Sequence, residues 1–534
     1  RSSDLGFTAD GAGWGHGKQC LIWGYPIDGT SNALSILNLL KGTPWSKALN
    51  RDNAEAILNF LRGGSWYYYK GYRLPCLDRG SYVYNPMEQS IPYAKMLDNI
   101  VTNWIDSFTP EEQKELQQLQ VEVKKNRINM NNYVLGVYNG TRWFFNNDDL
   151  IKKTSDYHIT VNMASVRCDG LESAVNMADE YNFYPTDGLT LFQRTGDEYF
   201  RIMGGWDVTA SPGVTAREGM NKLTPVTNWR GYCSKYNYAV GTTDGGENAV
   251  TGYIFEKMNA SDKKDVNDRG NSKGLNTLLY DFKAYKANFI LGDYFVALGA
   301  GVTNAKPAME GGIRTTIDQT AHIGAVTVIE KGKEKPLQEG RQSLITFEGQ
   351  PVWVMQEGKF AYRVLPEFTR KAFVLTETCP TNWIKRNRGN AKKGDLPQTV
   401  DILRLWVDHG QASVNDTYGY VVYTGKGRPA DTLPFQVLRN DTLVQAVRSV
   451  DGKLVGVVFY PGNKGLEVDN LSLSASSPCA VLIQKEKGKY KLSVTDACMN
   501  SALKEITLVF NGRTVIVSME QGMLSGKPSV IEIP

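Results

Sequence analysis

The first 130 residues carry the spacing of helices. Ala54, Ile57, Leu58 and Leu61 recur at i, i+3, i+4 and i+7, which predicts one face of a half-buried helix. Thr109-Pro110-Glu111-Glu112 predicts another helix start. Thr caps, Pro fits the first helical position, and Glu three residues after the cap closes a capping box. Its continuation, 113–125, is polar enough to face solvent. Near Asn131 the apolar period changes from that of a helix to that of a strand. Asp451-Gly452 then separates the apolar runs 446–450 and 454–458, and Asn511-Gly512 separates 506–510 from 514–517. Both dipeptides supply the positive backbone angles of two-residue hairpins. Gly425-Lys426-Gly427-Arg428-Pro429 reads as a linker, and the polar stretch 259–273 as a long exposed loop. No repeat recurs at a fixed period. The pattern predicts an α+β chain, with a helical part (1–130), a large part of stacked antiparallel sheets (131–432) and a small C-terminal β domain (433–534).

A length of 534 residues agrees with two to four domains. Sixty Lys and Arg against 56 Asp and Glu leave a net charge of +4, which is no footprint for nucleic acid, although local basic patches still suit a polyanion. A hydrophobic content of 41% excludes a disordered chain. The longest apolar run, 454–460, falls far short of the roughly 20 residues that span a bilayer. The chain starts at Arg1 and shows no signal peptide, so a processed product is expected. Seven widely spaced cysteines without a CxxC pair predict buried free thiols, with room for one pair. Imidazole chemistry has four candidates: His16, His158, His322 and His409.

Nucleotide motifs fail. Gly11 to Lys18 ends in Gly-Lys, but Ala12 and Gln19 stand where the phosphate loop needs Gly and Ser or Thr. Gly299-Ala300-Gly301 lacks a third glycine and a following helix. No HExxH or GxSxG occurs. What remains is Asp10-Gly-Ala-Gly-Trp-Gly-His16-Gly-Lys-Gln-Cys-Leu-Ile-Trp-Gly-Tyr25. Its glycines let backbone approach a ligand, and Trp14, Trp23 and Tyr25 offer faces suited to sugar rings. Trp66-Tyr67-Tyr68-Tyr69 adds aromatic surface that serves equally as core or rim.

This stretch, with Gly29 and Gly42-Thr43-Pro44-Trp45, resembles the active-site segment of polysaccharide lyase family 8, most of all in its chondroitin AC form. The resemblance continues in order. It runs through Asp78-Arg79-Gly80-Ser81, Ala164-Ser165-Val166-Arg167 with Glu172 and Asn176, Trp206-Asp207, Pro212-Gly213-Val214-Thr215, Asn228-Trp229 and Leu405-Trp406-Val407-Asp408-His409-Gly410. The resemblance implies an incomplete N-terminal (α/α) toroid, a super-sandwich of antiparallel sheets and a small C-terminal β-sandwich. It implies β-elimination at a uronic acid of chondroitin sulfate, dermatan sulfate or hyaluronan, with the cleft between the first two domains. By the same resemblance Tyr25 and His16 transfer protons, Arg79 orients the substrate, and Glu172 holds Arg79 or His16. Trp14, Trp23, Asn176 and Trp229 contact sugar. Lys18, Arg73, Arg79 and Arg230 would line the groove.

The chain also departs from the family. The carboxylate-neutralising Asn of the family would lie upstream of Arg1, so an upstream segment of the same precursor is an expected partner. A second family arginine is Val83 here. A structural calcium would rest on Asp207 and Glu218, with Gly205 and Gly219 at two ligand positions. Elimination needs no organic cofactor. His409 is read as structural, and Arg167 and Asn176 equally as cleft lining or as part of a buried network. The expected protein is a monomeric, secreted or periplasmic bacterial lyase without a membrane span or nucleic-acid partner. The alternatives are a non-catalytic polysaccharide-binding protein derived from a lyase, and a hydrolase with paired carboxylates, which a His/Tyr site disfavours.

Overall fold

A computed structural model of the chain describes residues 6–15, 17–77, 84, 91–128, 138–171, 186–219, 231–259, 282–345 and 352–534. The loop expected at 259–273 lies almost wholly outside the described residues. Four helices dominate the first part: α1 (Tyr25–Leu40), α2 (Arg51–Trp66), α3 (Ile91–Asn103) and α4 (Pro110–Ile128). Asn50 caps α2, and Ala54, Ile57, Leu58 and Leu61 form its buried face as their spacing requires. The capping box at α4 is closed in both directions. The Thr109 amide donates to Glu112 at 2.9 Å and the Glu112 amide to Thr109 Oγ1 at 3.3 Å. The helical core gathers Ile27, Leu34, Leu58, Leu61, Tyr93, Leu97, Leu116 and Val123, and extends to Phe144 and Ile151 of the first sheet.

Among the described residues from Gly140 onward the regular structure is sheet, apart from short helical turns such as Trp383–Arg386. A four-stranded sheet (Gly140–Phe144, Asp149–Lys153, His158–Met163, Asp187–Gln193) and a five-stranded sheet built around Ile313–Ala321 and Thr399–Gly410 lie over one face of a nine-stranded sheet. That large sheet is apolar on both faces. In its strand Tyr294–Asn304, Phe295 and Ala297 enter one core while Val296 and Leu298 enter another. The second core is closed by Val447, Val458, Ala480 and Leu482 of a six-stranded sheet, which in turn packs on a four-stranded sheet through Val457, Val481, Leu473 and Leu508. Every ladder between these strands is antiparallel.

Asn511-Gly512 makes the expected two-residue hairpin, with Phe510 opposite Arg513 and φ of 47° and 79° at the turn. Asp451-Gly452 does not. Its ladder stops at Arg448–Val455, and the Ser449 hydroxyl accepts from the Leu454 amide across a longer loop. None of the seven cysteines forms a disulfide, and five of them are buried.

A polar seam locks the helical part to the first sheet. Tyr67 donates to Asp149 at 2.7 Å, and Asn162 to the other oxygen of Asp149 at 2.5 Å. Lys153 donates to the Ser65 carbonyl at 3.0 Å, and His158 Nε2 meets the Trp66 carbonyl at 3.0 Å. Burial pushes the His158 imidazole down to about 3, so it sits neutral in this seam.

Candidate functional site

The glycine-rich segment folds as a small sheet, with Gly6–Phe7 and Gln19–Cys20 flanking Gly13–Gly15. The middle strand turns two side-chain-free positions toward the start of α1. A Cβ on Gly13 would lie 2.4 Å from Pro26 Cγ, and one on Gly15 would lie 2.5 Å from Tyr25 Cδ2. Alternation sends Trp14 the opposite way, where its indole donates to Asn147 Oδ1 at 2.9 Å. Tyr25, the first residue of α1, thus has its ring laid against bare backbone and remains 43% exposed. The exposed phenol of Tyr25 and the half-buried indole of Trp14 thus lie on opposite faces of this small sheet.

Asp10 anchors the segment from below. It accepts from the Thr8 hydroxyl, from the Ala12 amide at 3.2 Å and from the Asn146 amide at 2.7 Å, and burial raises its carboxyl above the usual range. Arg142 donates to the Asp10 carbonyl at 2.5 Å. Further along, the Lys18 amide donates to Asp169 Oδ2 at 3.1 Å, the Asp169 amide donates back to the Lys18 carbonyl at 3.0 Å, and Gln19 Nε2 donates to the Gly170 carbonyl at 2.7 Å. Gly231 approaches Gly170 and Leu171 so closely that a Cβ would lie 2.3 Å from the Leu171 carbonyl. Gly231, two residues after Trp229, therefore lies against Gly170 and Leu171, in the stretch that leads to Glu172 and bonds Lys18 and Gln19.

His16, Arg79, Glu172, Asn176, Trp229 and Arg230 themselves lie outside the described residues. Trp23 is a correction. It is buried in the helical core, edge-on to Tyr93 at 5.4 Å and tilted against Tyr68 at 6.4 Å, so its faces are taken up by protein rather than sugar. The run Trp66 to Tyr69 is core for the same reason. Arg73 is buried as well. Arg167 belongs to a network: it donates to Asp148 at 2.9 Å and to the carbonyls of Ala239 at 2.7 Å and Ala497 at 3.0 Å. His409 bonds Asp416 at 2.7 Å and Thr315 at 3.0 Å, and Thr315 and its hydroxyl neighbour Thr215 are buried, so the imidazole is one link in a largely buried polar chain.

Asp207 and Glu218 do not fit a calcium ion. The Arg314 guanidinium is bonded to Asp207 Oδ2 and stands 3.7 Å from Glu218 Oε1. The other Asp207 oxygen accepts from the Thr209 amide and hydroxyl at 2.9 and 2.7 Å. Burial alone would raise the Asp207 carboxyl, but Arg314 and Thr209 hold it below its ordinary range. An internal cation already neutralises Asp207, one of the two ligands expected for the metal, and stands near the half-exposed Glu218, the other. The sequence reading missed Arg314, along with the positioning residues Asn147 and Asp169. Nothing in an isolated polar loop or a strand arginine marks such partners.

Comparison with known proteins places the chain. The polysaccharide lyase family 8 super-sandwich domain matches residues 139–431, and the family 8 C-terminal β-sandwich domain matches 436–503. The chain belongs to polysaccharide lyase family 8. A Chondroitinase-AC of Pedobacter heparinus is 28% identical over 360 residues, 66% of this chain and 45% of that relative. The alignment thus spans less than half of the relative's length. Among solved structures, a chondroitinase AC lyase studied in oligosaccharide complexes has a TM-score of 0.77 at 22% identity, covering 99% of this chain and 72% of its own. A Paenibacillus xanthan lyase also reaches 0.77 at 17% identity, covering 100% of this chain and 52% of its own. These likenesses show the family 8 fold, with its super-sandwich and C-terminal β-sandwich.

Proposed function

We propose that this family 8 chain carries the catalytic elements of a lyase that cleaves uronic-acid-containing glycosaminoglycans, such as chondroitin sulfate, dermatan sulfate or hyaluronan. The observation that carries the reading is Tyr25, exposed at the start of α1 with its ring against Gly15 and with Trp14 on the next strand position. The proton on C5 of the uronate is removed by a base, the C4–O bond breaks, a C4=C5 double bond forms, and the departing oxygen takes up a proton. Tyr25 and His16 are the proton-transfer pair in this scheme. Arg79 offsets the charge that develops on the substrate carboxylate, and Glu172 positions the cation or the imidazole. Trp14, Asn176 and Trp229 contact sugar. The activities of the relatives named above, the convergence of the segments that lead into Glu172 and Trp229, and the family membership support the assignment. A secreted or periplasmic setting, where such polymers are met, belongs to the same reading.

The test is absorbance in the ultraviolet while the purified chain, its N-terminus defined by intact mass, is mixed with chondroitin or hyaluronan. A growing unsaturated-uronate signal that falls at least a hundredfold in Tyr25→Phe is the expected result. A flat trace with measurable polysaccharide binding would instead favour a binding protein derived from a lyase.

A further inference from the structure

The C-terminal domain gathers positive charge at one end of its six-stranded sheet. The strands run in the order Phe435–Asn440, Val444–Ser449, Leu454–Phe459, Cys479–Glu486, Lys489–Asp496 and Ser529–Ile533. Lys487 and Gly488, with φ of 49° and 82°, join the fourth strand to the fifth in a two-residue turn that sets Glu486 opposite Lys489. From 485 to 491 this hairpin carries Lys485, Lys487, Lys489 and Lys491 against one acid, Glu486. Its local charge is thus +3, where the whole chain carries +4. Lys485, Lys487 and Lys489 are exposed and Lys491 is half-buried. Lys489 and Lys491 share one face about 7 Å apart, Lys485 projects from the other, and Lys487 stands at the tip.

Two ordinary uses of surface lysine do not account for the four. Arg439, Arg448, Lys453 and Lys527 of the same domain pair with Asp441, Asp469, Asp451 and Glu520. Among the described residues, none of the four hairpin lysines closes an ion pair, and Glu532 faces Lys491 across the ladder without making one. Lysines also guard the open edges of sheets. This hairpin is interior to its sheet, with Leu454–Phe459 on one side and Ser529–Ile533 on the other. Like charges held this close oppose folding. The sheet keeps them nonetheless, and an anionic partner would relieve the repulsion.

We propose that Lys485, Lys487, Lys489 and Lys491 form a docking site on the C-terminal domain for the carboxylate or sulfate groups of an acidic polysaccharide. The polymer class rests on the lyase reading above; the hairpin supplies the place and the means. Tyr490 is the aromatic of the hairpin, and its ring is engaged by Lys485 at 5.3 Å and edge-on by Phe510 at 5.0 Å. Recognition therefore falls to charge rather than to stacking on bases. The stretch 484–491 holds no aliphatic side chain to enter a lipid layer. Cations on a frame fixed by sheet pairing lose little freedom when they meet a regularly charged polymer. Binding that displaces the polymer's counterions is weakened by salt. Such a site keeps the protein on a long chain, and its grip does not depend on Tyr25.

The experiment measures binding of end-labelled chondroitin sulfate, hyaluronan and neutral dextran to the full chain across a salt series, in a Tyr25→Phe background so that no polymer is cut. Lys485→Gln/Lys487→Gln/Lys489→Gln/Lys491→Gln is compared with the charge-keeping change of all four to Arg. The expected result is that affinity for the anionic polymers falls roughly tenfold in the neutral variant at low salt. Its salt dependence flattens, the charge-keeping variant retains both affinity and slope, and dextran is not bound. A greater fall with chondroitin sulfate than with hyaluronan assigns the contacts to sulfate, and an equal fall to carboxylate. Unchanged affinity and slope in the neutral variant, or an equal loss in the Arg variant, overturns the proposal. Phosphatidylserine vesicles and single-stranded DNA serve as competitors. Displacement of the polysaccharide by either at a lower concentration of charge assigns the lysines to that partner and also overturns it. Cleavage is read separately, on the chain with Tyr25 intact. Hairpin-dependent binding without cleavage would sink the lyase reading and leave this site standing, and cleavage with hairpin-independent binding would do the reverse.

Discussion

Gly63 sits inside α2, where alanine would ordinarily favour the helix by about 1 kcal/mol. Here a Cβ would fall 1.8 Å from the Gly11 carbonyl oxygen, against backbone that Asp10 and Arg142 pin on either side. Gly63→Ala is therefore expected to destabilise the chain by about 2 kcal/mol or more, a fall in melting temperature where propensity alone predicts a rise. Arg314 makes a second residue-scale case. It is bonded to one of the two carboxylates that a calcium ion would need and stands 3.7 Å from the other, so thermal unfolding in excess EDTA and in millimolar calcium should superimpose. A calcium-dependent rise of several degrees would overturn that account. Neither case was legible in the sequence. Gly63 reads as a weak spot in an otherwise good helix, and Arg314 as one polar position in a strand whose charge partners lie about a hundred residues upstream.

At the scale of elements, what was legible is local. The face of α2, the capping box of α4 and the Asn511-Gly512 turn each depend on residues within a few positions of one another, and each forms as its spacing requires. Asp451-Gly452 carries the same turn chemistry but forms a longer loop, because the Ser449 side chain bonds across it. The aromatic run after α2 and Trp23 are core because α3 and the first sheet close over them, which no short window reveals.

The seam between helices and first sheet was equally hidden, and it carries a pH prediction. His158 is buried against Trp66 and Thr160, and desolvation lowers its folded value to about 3. Unfolded, the imidazole takes up a proton near 6.5. Stability is therefore lost as pH falls through the window between those values, by roughly 3 kcal/mol at pH 4 from this group alone. Relative to the parent, His158→Gln should lose less stability between pH 6.5 and 4 in denaturant titrations. Parallel losses in the two proteins would remove His158 as the cause.

The whole molecule is a stack in which one residue reaches three parts. Arg167 bonds Asp148 of the first sheet region, the Ala239 carbonyl of the nine-stranded sheet and the Ala497 carbonyl of the C-terminal domain. Asn237 adds a bond to the Cys498 carbonyl beside it. Apolar contact between the large sheet and the six-stranded sheet, through Phe289, Val250, Val458 and Leu482, already couples these bodies. The arginine adds direction to a contact that is otherwise only greasy, since its donors accept few other arrangements. Removing it leaves the Asp148 carboxylate buried without its cation, at a cost of about 3–5 kcal/mol. That cost falls on the junction rather than on any one core. Calorimetry of the parent chain should therefore show the C-terminal domain melting together with the sandwich. Arg167→Ala should melt earlier, with a separate transition for residues 436–533 and faster proteolysis in the connection 424–434. A single transition merely shifted downward would mean that the apolar interface alone sets the cooperativity, and that Arg167 stabilises the sandwich without joining it to its neighbour.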